Sequence, residues 1–339
     1  MRISRVVFLL AVFFTLCVPF RGNCANISER DAQKGTTVLM ATARDGDSQA
    51  IQTLLKNGAD INAQDGEGAT ALMYAAEKGH SQAIQTLLKN GADVRARDKD
   101  GWTALMYAAG GGHSQAIQTL LKNGADINAR TDDGLTALMV AARKGHNQAI
   151  QILLDNKADS SVQANNGMTA LMTAAFCGYS QIIQTLLDNG ADMQVRNANG
   201  ETALLLAAFG GRSQAIQTLL DNKADIHARD KHGRTALMLA LSALRGRNFL
   251  VMLNDNDASP EQAIQILLDK GVDINAQDNN GLTALMVAVE HGPIQAVKVL
   301  LENKADPLVK NNEGTTALDL ARRHNDADAV KLLEQYGAK

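Results

Sequence analysis

The sequence predicts an all-α fold, a solenoid of stacked helix-turn-helix units joined by short turn-forming loops. Two observations carry this expectation. The phrase SQAIQTLLKNGAD occurs at residues 48–60, 81–93 and 114–126, a spacing of 33 residues each time. A threonine in a Thr-x-Leu context recurs at Thr37, Thr70, Thr103, Thr136, Thr169, Thr202, Thr235, Thr283 and Thr316. Every step is again 33 residues, except the 48 between Thr235 and Thr283, which places a 15-residue insertion near 244–258, in the seventh unit. A fixed period of this length marks a chain that grows by stacking modules, not by enlarging one core.

Each unit reads as two helices. In the second unit, Gly68 supplies a tight turn and Thr70 caps the helix ALMYAAEK; threonine at that place accepts from an otherwise unpaired amide. Gly79 ends this helix in the left-handed conformation that glycine adopts without steric cost. Ser81 is expected to cap the second helix, QAIQTLLKN, whose Ala83, Ile84, Leu87 and Leu88 form one apolar stripe opposite Gln82, Gln85 and Lys89. Gly91 closes it, and ADVRARDKDG leads to the next unit. Neither short helix can bury its apolar side alone, so the next unit must cover it. Adjacent small residues such as Ala75 and Ala76 let neighbouring first helices approach closely.

The motif G-x-T-A-L-M-x-A-A-x-x-G-H, followed by L-L-x-x-G-A-D-x-x-A, resembles the ankyrin repeat family, and the resemblance covers nine units. The family pattern Thr-Pro-Leu-His is Thr-Ala-Leu-Met here. Met40, Met73, Met106, Met139, Met172, Met238 and Met286, with Leu205 and Asp319 in the remaining units, stand where the family has a histidine. An apolar ladder is therefore expected where the family has a polar one. Lys157, Lys223 and Lys304 replace the helix-ending glycine, and a left-handed lysine costs roughly 1 kcal/mol. Asp319, Arg322, Arg323 and His324 give the last unit the polar character of an end cap.

The start of the chain has another design. Arg2 and Arg5 precede an apolar run from Val6 to Val18, and small or turn-forming residues follow at Gly22 and Ala25. This is the layout of a signal peptide over residues 1–25, and the run is short for a membrane span; an uncleaved anchor is the alternative. The array then occupies 26–337. Loss of the leader removes three arginines and takes the net charge from -3 to -6. A mildly acidic chain lacks the basic surface that nucleic acid requires. Hydrophobic residues make up 45% and charged residues 20%, which excludes a disordered polyelectrolyte. Export would place the chain in a periplasm or outside the cell, with no membrane partner once the leader is removed, and a monomer is expected.

Candidate chemistry resolves into structure. His80, His113 and His146 recur at one position, yet packed helices lie about 8–10 Å apart and zinc needs every donor within about 2.1 Å. The column Asp60, Asp93, Asp126, Asp159, Asp192, Asp225, Asp273 and Asp306 suits local turn bonds better than calcium. Asp255, Asp257, Ser259 and Glu261 imitate a calcium loop without its glycine; Ser259 as cap and Pro260 at the first helical position account for them better. GxSxG, HExxH and GxxxxGK[ST] are all absent from the sequence. No enzyme and no cofactor is expected.

Function must then reside in the letters that vary. The resemblance implies that partners touch the loop tips and the exposed side of the first helices, along a concave surface. The residue before the capping threonine is Trp102, Leu135 and Met168 in three consecutive units, and a second variable column holds Phe176 and Phe209. These five are the expected contacts of a protein partner, since exposed apolar patches and tryptophan anchors mark interfaces. Phe249 and Leu250 join them from the insertion, which is expected to lengthen the first helix of its unit or to project as a docking segment. The expected function is an exported, non-enzymatic binding scaffold. The alternatives are an accessory subunit protecting or regulating a separate exported enzyme, or a secreted effector acting on host proteins.

Overall fold

The computed structural model describes residues 37–245 and 259–338. The expected leader, Phe249, Leu250 and most of the insertion lie outside them. Eighteen helices and no strand are formed among the described residues, in nine pairs. The pairs are α1 (Val38–Asp45) with α2 (Ser48–Lys56), α3 (Ala71–Glu77) with α4 (Ser81–Lys89), and α5 (Ala104–Gly110) with α6 (Ser114–Lys122). Next come α7 (Ala137–Lys144) with α8 (Asn147–Asp155), α9 (Ala170–Cys177) with α10 (Ser180–Asp188), and α11 (Ala203–Phe209) with α12 (Ser213–Asp221). The array ends with α13 (Ala236–Arg245) and α14 (Pro260–Asp269), α15 (Ala284–His291) and α16 (Ile294–Glu302), and α17 (Ala317–Arg323) and α18 (Ala327–Gln335).

Helices of this length are marginal alone, so packing must hold them. Each first helix packs on its own partner and on the first helix of the next unit. The alanine pairs make this close approach possible: Ala75, Ala76, Ala108, Ala109, Ala141 and Ala142 are fully buried. The methionine column forms the expected apolar ladder, with Met40, Met73, Met106, Met139, Met172, Met238 and Met286 all buried and Leu205 among them. Each such burial stabilises by roughly 1.5–3 kcal/mol. Its amide is occupied as well. The threonine hydroxyl three residues earlier accepts it at 3.2–3.5 Å in all nine units. In the last unit Asp319 reciprocates, its carboxylate accepting from the backbone N–H and hydroxyl of Thr316.

The second helices start differently from expectation. His80, and not Ser81, is the cap residue of α4, and no side chain caps that helix. The Ser81 hydroxyl instead donates back to the Gly79 carbonyl at 3.4 Å. Ser259 likewise makes no side-chain cap bond, although Pro260 does open α14. In the second, third and fourth units the cap position is a histidine turned toward the neighbouring unit. Nε2 of His80, His113 and His146 lies 2.9–3.0 Å from the carbonyl oxygens of Arg44, Glu77 and Gly110, each in the preceding unit. A carbonyl can only accept, so Nε2 carries the proton in each case. Side-chain caps of second helices are made by Asp47 in the first unit and Asp326 in the last.

In the first six units the glycine that ends the first helix is required twice. Gly79 has φ +73°, and a Cβ built there would sit 2.5 Å from the His113 ring. Gly46 and Gly112 stand in the same relation to His80 and His146. Later units place other groups in this socket: Tyr179 over Gly145, Arg212 over Gly178 and Pro260 over Gly211. Lys157, Lys223 and Lys304, at φ 68–69°, end second helices in the left-handed form. The insertion has a visible effect at its start, because α13 runs for ten residues where the other first helices have seven or eight.

Gly79→Ala should destabilise the array by roughly 2 kcal/mol, from left-handed strain and displacement of His113 from its carbonyl. In a His113→Ala background the same change should cost only the strain, about 1 kcal/mol. Urea unfolding of the two singles and the double measures this coupling; equal costs in both backgrounds would show that ring and glycine do not interact.

Candidate functional site

The loops between units fix where each variable side chain emerges. Every aspartate of the loop-start column turns its carboxylate onto the backbone N–H two residues ahead, as Asp60 does with Asn62 and Asp126 with Asn128. These are Asx turns, the local role expected of them. A second acidic column holds the loop tip. Asp98 Oδ1 accepts from the backbone N–H of Asp100 at 3.0 Å and of Trp102 at 2.8 Å, and Asp65 does the same for Glu67 and Ala69. Successive tips are then tied directly: the N–H of Lys99 donates to the Glu67 carbonyl, Asp132 to Asp100, and Asn165 to Asp133.

A side-chain rail runs beside these bonds, and sequence reasoning did not find it. Gln64 donates to the Arg97 carbonyl, Arg130 to Gln163, Gln163 to Arg196, Arg196 to Arg229, Arg229 to Gln277, and Gln277 to Lys310. Arg97 departs from the pattern and pairs with Asp132 at 3.1 Å. The signal was present as a column of Gln and Arg at a fixed place in each unit. Both types carry a donor on a stem long enough to reach a carbonyl one unit away.

On this frame the expected contacts divide. Trp102 is half-buried, and its ring tilts against Tyr107 with centroids 5.4 Å apart at 42°. The Tyr107 hydroxyl donates to Asp98 Oδ2 at 2.6 Å. Burial pushes this phenol's pKa well above its ordinary value, and the Asp98 bond pushes it further. One aspartate thus positions both aromatic residues. Leu135 is also half-buried, its N–H held by the Thr131 hydroxyl. Phe176 and Phe209 are half-buried and stacked, with centroids 6.4 Å apart and planes 17° from parallel. The structure brings together what the sequence could only place in one column.

Met168 is a correction. It was expected on the surface beside Leu135, and it is only 3% exposed. The next loop covers it: the Asn197 amide lies 3.7 Å from its sulfur. Its neighbour in the same column, Glu201, is 1% exposed. The Glu201 carboxylate accepts from Asn197 Nδ2 at 2.8 Å and lies 3.9 Å from Arg234 Nη2. Arg234 in turn closes on Asp230 Oδ2 through Nε and Nη2, each at 2.6 Å. Burying this knot of two carboxylates and one guanidinium is tolerable because hydrogen bonds satisfy each member. The apolar strip along this column therefore stops at Leu135.

Among the described residues, no group of three or more His, Cys, Asp or Glu side chains is placed to hold a metal ion. No helix among them is long and apolar enough to cross a membrane.

A family model described as ankyrin repeats (3 copies) matches residues 15–98, 39–131, 124–197, 179–264 and 255–339. The chain belongs to the ankyrin repeat family. Arrays of this kind are protein–protein interaction scaffolds and typically carry no catalysis. A search of curated proteins returns no match.

Tyr107→Phe should cost about 1–2 kcal/mol, through the lost bond to a charged acceptor, and should loosen Trp102. In the parent, the raised phenol pKa stabilises the fold fully below the unfolded tyrosine's ordinary value. That stabilisation is lost as pH rises through the higher folded value. Thermal melts from neutral to strongly alkaline pH should show a steeper alkaline decline in the parent than in the variant, with Trp102 fluorescence as the local probe.

Proposed function

We propose that this chain is an exported, non-enzymatic scaffold that captures a protein partner on the face carrying Trp102, Leu135, Phe176 and Phe209. The observation that carries the reading is the half-exposed aromatic set on an otherwise repetitive frame. Trp102 rests on Tyr107, and Phe176 stacks on Phe209, so these rings are ordered before any partner arrives. Preordered aromatic anchors lose little side-chain entropy on binding, which is where interfaces gain most of their affinity. Buried Met168 serves as a support for the strip. Export rests on Arg2, Arg5 and the apolar run 6–18, with the leader ending near Ala25.

Replacing Trp102 and Leu135 together by Ala should weaken partner capture at least about tenfold, as expected for removal of a tryptophan hot spot. Both side chains also pack on the core, so a melt must accompany the binding measurement. Undiminished crosslinking of the native partner to a folded double variant would refute the assignment of this face. Fractionation of the full chain, with N-terminal sequencing of the mature protein, tests export: an intact Met1 terminus in the cytoplasm would remove it.

A further inference from the structure

The loops between units also form a groove of a different character. It is open to solvent, about 780 Å³ in volume, between the loops after the second and third units, and Arg95, Arg97 and Arg130 line it with Asp126. Val94 and Ile127 contribute half-buried apolar walls. All three arginines are exposed, in a chain whose net charge is -3. Each is oriented by one donor: Arg95 Nε toward the Gly124 carbonyl at 3.5 Å, Arg97 Nη2 to Asp132 and Arg130 Nη2 to the Gln163 carbonyl at 2.9 Å. A guanidinium has five N–H donors in a fixed fork. Anchoring one of them leaves a preorganised face for a carboxylate. The Arg97–Asp132 pair is exposed on both sides, 49% and 68%, and such a pair yields readily to a better-placed acid.

We propose that this groove takes an acidic segment of a protein partner, a short stretch bearing two or three Asp or Glu side chains. The inference rests on the reading of the chain as a protein-binding array and adds a second, electrostatic subsite. Trp102 immediately precedes Thr103, which lines the groove. The surroundings decide against nucleic acid. Asp126 lines the groove and Asp132 already holds Arg97, and a continuous polyphosphate would meet both carboxylates, whereas a peptide can set its acids opposite the arginines and neutral residues elsewhere.

The array itself supplies substitutions that should preserve the fold. Asn stands at the Arg95 column in Asn62, Asn128 and Asn275, and Gln at the column of Arg97 and Arg130 in Gln64, Gln163 and Gln277. The test uses the full chain and a fluorescein-labelled peptide alternating Glu and Gly, followed by anisotropy. Binding is expected, declining with added salt, about tenfold weaker in the triple variant R95N/R97Q/R130Q, and retained in W102A/L135A. Absence of binding, equal binding by the folded triple variant, or equal binding of a Lys-Gly peptide would overturn the proposal. Tighter arginine-dependent binding of a single-stranded oligonucleotide would assign the groove to nucleic acid instead. Displacement of the peptide by inorganic phosphate, but not by chloride at matched ionic strength, would reduce it to a small-oxyanion site. Loss of partner capture in W102A/L135A with peptide binding intact separates the two subsites.

Discussion

The structure depends on one constraint: no unit can shelter its own apolar side, so each must present the same face to the next at a fixed register. From this follow the small alanines where first helices meet, and the methionines that fill the layer above them. The glycine at the end of the first helix in the first six units belongs to the same constraint. It gives the chain its left-handed reversal and also vacates the volume into which the neighbouring unit lays a side chain. Backbone geometry and intermodule contact are thus satisfied by one missing side chain.

Two kinds of connection share the work. On the helix side, contacts are apolar and tolerant, and the socket over the glycine accepts imidazole, phenol, guanidinium or pyrrolidine. On the loop side they are directional, built from main-chain bonds between tips and a rail of Gln and Arg donors. Because the rail's acceptors are mostly carbonyls, it asks only for a long donor on one side and nothing of the residue opposite. Surface letters can then vary without loss of alignment, which is what a binding array requires.

Much of this was legible in the sequence. The threonine caps, the apolar methionine ladder, the Asx turns and the left-handed lysines follow from one residue's chemistry at a repeated position. What failed required knowledge of the neighbour. Ser81 looked like a cap because serine before an amphipathic run usually is one, yet the preceding histidine had already turned toward another unit's carbonyl. Met168 looked exposed because its column held Trp102 and Leu135, whereas the covering residue, Asn197, lies 29 positions away. Glu201 and Arg234 were adjacent in that column, but their closure with Asp230 depends on side-chain geometry. The arginine groove was missed because Arg95 and Arg130 belong to different columns and meet only across a junction.

The helix SQAIQTLLK is identical in α2, α4 and α6, and the contacts that follow it repeat at the same offset. Near-duplicate segments of this kind invite unequal recombination in the underlying gene. Because a junction depends on relative position and not on ordinal number, a crossover that inserts or excises one module in this stretch recreates a seam of the same chemistry. The reach of the molecule can therefore be lengthened or shortened genetically without redesign: a crossover between α2 and α4 changes only how far the aromatic residues stand from the N-terminal end, whereas one between α4 and α6 removes or duplicates Trp102 itself.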